Sequence, residues 1–203
     1  NIRHYAASIE KLKKVTEPRP GEEIFGMTMI TLKGKTILVA DTNVQDFPSP
    51  DRLVKVSKSC VRVARLFGFD PKVAFLSHST FGKPISKNTK HVRDAIDLLK
   101  KEKVDFDFDG EMQPDVALNP VYQEIYPFSK IVGNANILIM PALHSAAIST
   151  KLMKVFGGGK LIGPLLIGLG SPIEVAPLRA STSEILNLAS IAAYSSDVID
   201  YSI

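Results

Sequence analysis

Three short polar segments hold most of the chemistry that this sequence offers. Ser77-His78-Ser79-Thr80-Phe81-Gly82-Lys83 gathers three hydroxyls, an imidazole and a lysine directly after an apolar run. That composition suits an anion held by hydroxyl and backbone N–H donors, although a loop that caps its own backbone has the same make-up. Pro141-Ala142-Leu143-His144-Ser145 leads into a helical pattern whose N-terminus can hold a negative group, with Lys151 two turns in. Asp109-Gly110-Glu111-Met112-Gln113-Pro114-Asp115 closes a further apolar run with carboxylates that could orient donors, exposed caps being their plainer use. The candidate ligand-binding residues are Ser77, Ser79, Thr80, Gly82, Asp109, Gln113, His144, Ser145 and Lys151.

Other patterns fail on inspection. Asp105-Phe106-Asp107-Phe108-Asp109-Gly110 imitates the start of a calcium loop, but the twelfth position, which needs a bidentate Glu, is Val116. Gly157-Gly158-Gly159-Lys160 lacks the first glycine of a phosphate loop, where Lys154 stands, and its hydroxyl, where Leu161 stands. His4, His78, His91 and His144 belong to no HExxH or Cys/His cluster, so a metal site has no support. Cys60 lies in an amphipathic helical stretch and reads as a buried thiol.

The elements that must position these loops alternate. Ile2 to Val15 reads as a basic helix, stopped before Glu17-Pro18-Arg19-Pro20-Gly21. Met27–Leu32 and Thr36–Ala40 flank a turn at Lys33-Gly34-Lys35, which predicts a hairpin. Ser49-Pro50 supplies the N-cap and first turn of a helix to Phe67, ended by Gly68. Strands are predicted at Lys72–Leu76, Val104–Phe108, Ile137–Met140 and Leu161–Ile167, and helices at Ser86–Lys101, Val116–Tyr126, Ser145–Phe156 and Ser181–Tyr194. Apolar runs such as Ile137-Leu138-Ile139-Met140 are what a strand covered on both faces requires. The fold class is α/β with a mostly parallel sheet, and ligands in such folds sit beyond the carboxyl ends of strands.

Composition narrows the partners. The chain has 203 residues, 45% of them hydrophobic and 23% charged, which describes a globular chain with a core. The net charge of +4 divides into +7 before Leu161 and −3 from there on. Lysines that are scattered and not interleaved with aromatics argue against nucleic acid. The longest apolar stretch, Leu161–Leu169, is broken by Gly163 and Pro164, which argues against a membrane span. One cysteine forms no internal disulfide and no signal-peptide pattern opens the chain, so the expected compartment is the cytoplasm.

At the polar loops the chain resembles the phosphate acetyl/butyryltransferase family, through Val39–Thr42, Ala74–Gly82, Asp109–Asp115, Gly133–Pro141 and Ile162–Leu169. It is more similar still to the phosphotransacetylase-like C-terminal region of bacterial NADP-dependent malic enzymes, through Pro18–Gly21, Phe25–Met27, Ser79–Gly82 and His144–Leu152. The resemblance implies a three-layer α/β sandwich of the isocitrate/isopropylmalate dehydrogenase type. It implies that residues 1–24 are a helix and linker from a preceding lobe, 25–170 a second lobe, and 171–203 a segment returning to the first lobe. Active members of the family carry a Ser-Arg couple and a later Asp base. Aligned on Pro172, this chain has Pro177, Leu178 and Glu184 there, with Arg179 one residue late. Two of three catalytic groups are missing, which implies a domain that binds acetyl-CoA or CoA, assembles a homo-oligomer (a dimer or higher) and regulates an N-terminal malic enzyme domain. NADP and a divalent metal, Mg or Mn, would belong to that separate catalytic part. The rival reading is an active transferase that uses Arg179 and Glu184.

Overall fold

The computed structural model describes residues 8–41, 46–131 and 133–198. Of the predicted first helix, residues 8–12 (α1) are helical and residues 1–7 lie outside the described set. The strands β1 (Phe25–Leu32) and β2 (Lys35–Ala40) form the predicted hairpin, with Leu32 opposite Lys35. Its two-residue turn holds Lys33 at φ 50° and Gly34 at φ 75°, the left-handed pair whose twist matches that of the flanking strands.

Then follow α2 (Pro50–Leu66), β3 (Lys72–Leu76), α3 (Lys90–Lys101), β4 (Asp107–Met112), α4 (Pro114–Leu118), β5 (Ile137–Ile139), α5 (Leu143–Gly157), β6 (Lys160–Ile167) and α6 (Thr182–Val198). The six strands make one sheet in the order β4-β3-β5-β2-β1-β6. Pairing is parallel from β4 through β3 and β5 to β2, and antiparallel on both sides of β1. All strands except β1 therefore run the same way, and the sheet is mixed but mostly parallel.

Strand alternation builds two cores. Val73, Phe75, Ile137 and Ile139 pack with α2, α3 and Leu188 of α6, while Ala74, Leu76, Leu138 and Met140 pack with α4 and Ala146 of α5. The result is three layers. Ile9 and Ile24 form a third cluster with Leu166 and Leu169, against which Leu12, Ile173 and Val175 pack.

Two elements depart from sequence expectation. The fourth strand sits at Asp107–Met112 instead of 104–108, because parallel pairing with β3 recruits the polar Asp109-Gly110-Glu111 that local propensity disfavours. The helix expected over 116–126 is α4 followed by a 3₁₀ segment, Pro120–Glu124, since Pro120 cannot continue an α-helix. Pro164 is tolerated within β6 because that strand is at the sheet edge. Cys60 is fully buried in α2, and burial pushes its thiol well up.

Glu174 follows β6 and accepts the backbone N–H of Leu166 at 2.9 Å. It lines a cavity of about 30 Å³ between β6, α2 and α6, with Arg19 the other charged residue of that lining. Burial pushes its carboxyl from the ordinary 4.5 up to about 8. The native state then binds a proton that the unfolded chain has lost, so this contribution is complete below pH 4.5 and falls away as pH rises through about 8. Glu174→Gln is expected to remove that slope and raise stability above pH 8 by as much as roughly 5 kcal/mol, at about 1.4 kcal/mol for each unit of the rise from 4.5 to about 8; urea melts at pH 5.5 and 9 check it, and identical slopes for both proteins would contradict it.

Candidate functional site

Sheet register brings the candidate loops to one edge. Phe75 pairs with Ile139, Leu76 with Met112 and Ala40 with Ile139, so the chain leaves β2, β3, β4 and β5 side by side at Asp41, Ser77, Gln113 and Met140. This is the carboxyl edge where α/β folds hold ligands.

The Ser77 loop is organised around a buried carboxylate. Thr80 and Lys83 exchange backbone hydrogen bonds at 3.0 Å around a tight turn at Phe81-Gly82, both residues being left-handed (φ 48° and 80°). The Phe81 N–H reaches the Glu111 carbonyl at 2.7 Å and the Gly82 N–H reaches Glu111 Oε1 at 3.1 Å. Ser79 Oγ donates to the same Oε1 at 2.8 Å, and Arg93 Nη1 stands 3.3 Å from it. Glu111 is 1% exposed and Ser79 fully buried. Two donors expected to meet an anion, Ser79 and Gly82, thus serve a carboxylate of the chain itself. Ser77 Oγ pairs with Ser79 Oγ at 3.1 Å, Thr80 Oγ1 accepts the Gln113 N–H at 3.2 Å, and the Gln113 amide donates to the His78 carbonyl at 3.0 Å. Ser77, Ser79, Thr80, Gly82 and Gln113 are therefore one network, with His78 and Lys83 exposed on its outside.

Asp109 lies one step back. Its carboxylate accepts the N–H of Gly110 at 2.9 Å and of Lys130 at 2.7 Å, tying the 126–131 segment to β4. That segment sets Tyr126 and Phe128 against Phe81, with ring centroids 5.3 and 4.9 Å from it. His91 Nε2 lies 2.8 Å from the Pro141 carbonyl and fixes the second loop to α3. Ala142 caps α5 without a side-chain bond; in the first turn the Leu143 N–H is taken by the Asp46 carbonyl at 3.1 Å, Leu143 and Ala146 are buried, His144 is exposed and Ser145 half-buried. His144 is exposed against the Phe47 ring, at 5.7 Å. Lys151 is exposed on the same helical stripe as His144, roughly 10 Å along the axis.

Beneath the β2 loop, Arg52 Nη2 binds Asp41 Oδ2 at 2.9 Å and the Ile24 carbonyl at 2.8 Å, while Nη1 takes Glu23 at 2.8 Å. The Gly26 N–H completes the Asp41 carboxylate at 3.0 Å. Arg52 Nε is buried without an acceptor among the described residues. Burial pushes the Asp41 carboxyl up, and Arg52 and the Gly26 N–H oppose that rise.

Arg179 and Glu184 stand elsewhere. Glu184 neighbours Leu161, Ile162 and Gly163 in the first half of β6, far from its carboxyl end. Its Oε2 takes the Ser181 N–H at 2.8 Å and Ser181 Oγ at 3.0 Å, and Ser181 Oγ accepts the Glu184 N–H in return, a capping box that starts α6. Those donors, with Lys154 at 3.2 Å, hold its carboxyl below the ordinary range. Pro177, Leu178 and Arg179 are exposed.

Glu111, Arg93, His91 and Arg52 were missed as site residues at the level of sequence. Glu111 lies inside the Asp109–Asp115 motif, and Arg93 has a local signal in its i−4 spacing to Thr89, to which it bonds at 2.7 Å. The Glu111–Arg93 and His91–Pro141 contacts join separate elements, which periodicity cannot show. Among the described residues, no three His, Cys, Asp or Glu side chains group as metal ligands, and no helix is long and apolar enough to cross a membrane.

Comparison with known proteins places this geometry among relatives. The model of the phosphate acetyl/butaryl transferase family matches residues 1–193. The chain is 43% identical over 192 residues to an NADP-dependent malic enzyme of Rhizobium meliloti (strain 1021), covering 95% of this chain and 25% of that protein. It is 34% identical over 157 residues to a phosphate acetyltransferase of Clostridium acetobutylicum, covering 76% of this chain and 47% of that one. A phosphotransacetylase from Streptococcus pyogenes superposes with a TM-score of 0.88 at 28% identity, over 95% of this chain and 60% of that chain. The chain thus spans about a quarter of the malic enzyme and between just under half and three fifths of the transferases.

Proposed function

From the premise that this chain belongs to the phosphate acetyl/butaryl transferase family, we propose that it is the C-terminal regulatory and oligomerising domain of a cytoplasmic NADP-dependent malic enzyme, and that it binds acetyl-CoA without transferring the acetyl group. The observation that carries the reading is the state of the positions where the family's Ser-Arg couple and base belong. Pro177 offers no hydroxyl, Leu178 no charge, and Glu184 is engaged in a capping box with a depressed pKa, so it is a poor acceptor for a thiol proton. The malic enzyme likeness supports the parent, in which oxidative decarboxylation of malate, NADP and a divalent metal belong to a preceding part. The division of the chain at residues 24 and 170 is part of this proposal.

In this reading the first-turn amides of α5 that follow Leu143, with the side chains of His144, Ser145 and Lys151, receive the phosphates of CoA, while the Ser77–Gly82 network gives the loop its shape. The Phe81, Tyr126 and Phe128 rings offer a surface for the adenine. Homo-oligomerisation would use the C-terminal half of α5 and α6, which expose Leu152, Val155, Phe156, Ile185 and Leu186. Regulation then requires acetyl-CoA to bind two states of the oligomer with different affinity.

Two measurements test the proposal. Calorimetry with acetyl-CoA on the intact protein is expected to show binding, weakened by about tenfold or more in His144→Glu, a change the helix dipole favours but a phosphate does not. Silence at millimolar acetyl-CoA would refute ligand sensing. In a coupled assay with acetyl phosphate and CoA, no turnover above background is expected; turnover lost in Arg179→Ala would establish the active transferase instead.

A further inference from the structure

At the opposite edge of the sheet, where β1 ends and β2 and β5 begin, the structure holds a cavity of about 470 Å³. Its size falls within the range of small-molecule sites. The walls are apolar, from Ile30, Ile37, Leu118 and Met153, and the rim carries Lys33 and Lys35 from the hairpin. Among the described residues, no acidic side chain lines it. Neither lysine has a carboxylate within ion-pair distance among the described residues.

One of these lysines is positioned. The Asn134 amide, oriented by its partners, donates to the Leu118 carbonyl at 2.7 Å and accepts from Lys35 Nζ at 2.8 Å. That bond holds the Lys35 ammonium at the rim and, among the described residues, leaves two of its three donors without a partner. An open apolar hollow with an oriented cation and no counterion at its rim is complementary to an anionic head on an apolar body.

We propose that this cavity binds a carboxylate with an apolar tail, of the medium-chain fatty acid class, its tail against Ile37, Leu118 and Met153 and its head on Lys35. The chemistry is independent of acetyl-CoA binding at the Ser77 edge. Because the β1–β2 hairpin and the segment before β5 both contact the ligand, occupancy stiffens the sheet edge formed by β1, β2 and β5.

Calorimetry of the intact protein with decanoate, decanol and decylamine tests the proposal, with hydrogen exchange to locate the site. Decanoate is expected to bind about tenfold more tightly than decanol, the discrimination of one charge-assisted hydrogen bond, and decylamine not at all. Lys35→Met should abolish the preference for decanoate, and Met153→Trp, which fills the floor, should weaken both. Protection should appear in residues 30–37 and 134–136. Equal binding of decanoate and decanol, protection on the exposed faces of α5 and α6 instead, or no binding at millimolar decanoate because a protein segment covers the cavity would each overturn it.

Discussion

Glu111→Leu is expected to lower folding stability by about 3 kcal/mol and to abolish acetyl-CoA binding, although Glu111 faces no solvent. Its Oε1 is the common acceptor of the Ser79 hydroxyl and the Gly82 N–H, and Arg93 stands beside it. Leucine leaves the buried hydroxyl and the turn N–H without partners, each at a cost of about 1–3 kcal/mol. Arg93 lessens the loss, since it is partly exposed, keeps the Thr89 hydroxyl and the Ser86 carbonyl, and can turn to water. Binding fails because the Phe81-Gly82 turn has lost what fixes its direction. Glu111→Gln keeps the acceptor and the shape and should cost about 1 kcal/mol. Urea melts and calorimetry on the two variants check both arms. Equal losses in Gln and Leu would mean that charge, and not the accepting oxygen, organises the loop.

The second large effect concerns Arg52. Arg52→Leu leaves Asp41, 3% exposed, with only the Gly26 N–H among the described residues, and strips the Ile24 carbonyl of the Arg52 donor. Breaking a buried pair from one side typically costs about 3–5 kcal/mol, because the remaining charge is uncompensated. The sign of its pH dependence follows. Burial already raises the Asp41 pKa, and losing Arg52 raises it further. A raised carboxyl stabilises the fold only while protonated, so the deficit of Arg52→Leu against wild type should grow as pH rises and shrink in acid. Asp41→Asn in the same chain should recover much of the loss. Thermal melts of the single and double variants between pH 4.5 and 8 measure this, and a deficit independent of pH would mean that lost packing, not the orphaned charge, is responsible.

How far these residues could be found from the sequence differs from case to case. β5 announced itself as four consecutive apolar residues, and α2 as Ser49-Pro50 before a helical pattern, because those signals are local and agree with the tertiary environment. The Lys33-Gly34 turn was legible for the same reason. β4 was displaced because Asp109 and Glu111 look unlike strand residues until parallel pairing with β3 and their own bonds to Lys130, Ser79 and Gly82 are counted. Arg52 belongs to an amphipathic helix by pattern, yet its partners Glu23, Ile24 and Asp41 come from outside that helix.

By itself, the sequence determined the α/β class, the family resemblance and the three loops at the strand ends, because element type depends on periodicity and turn chemistry within a few residues. Only the tertiary structure decided that the Ser77 loop closes on Glu111, that Glu184 starts a helix at the far end of β6, and that Lys35 stands over an apolar cavity. Those facts depend on which distant segments the sheet register sets side by side, and the register follows from the burial of two faces at once, which no local window contains.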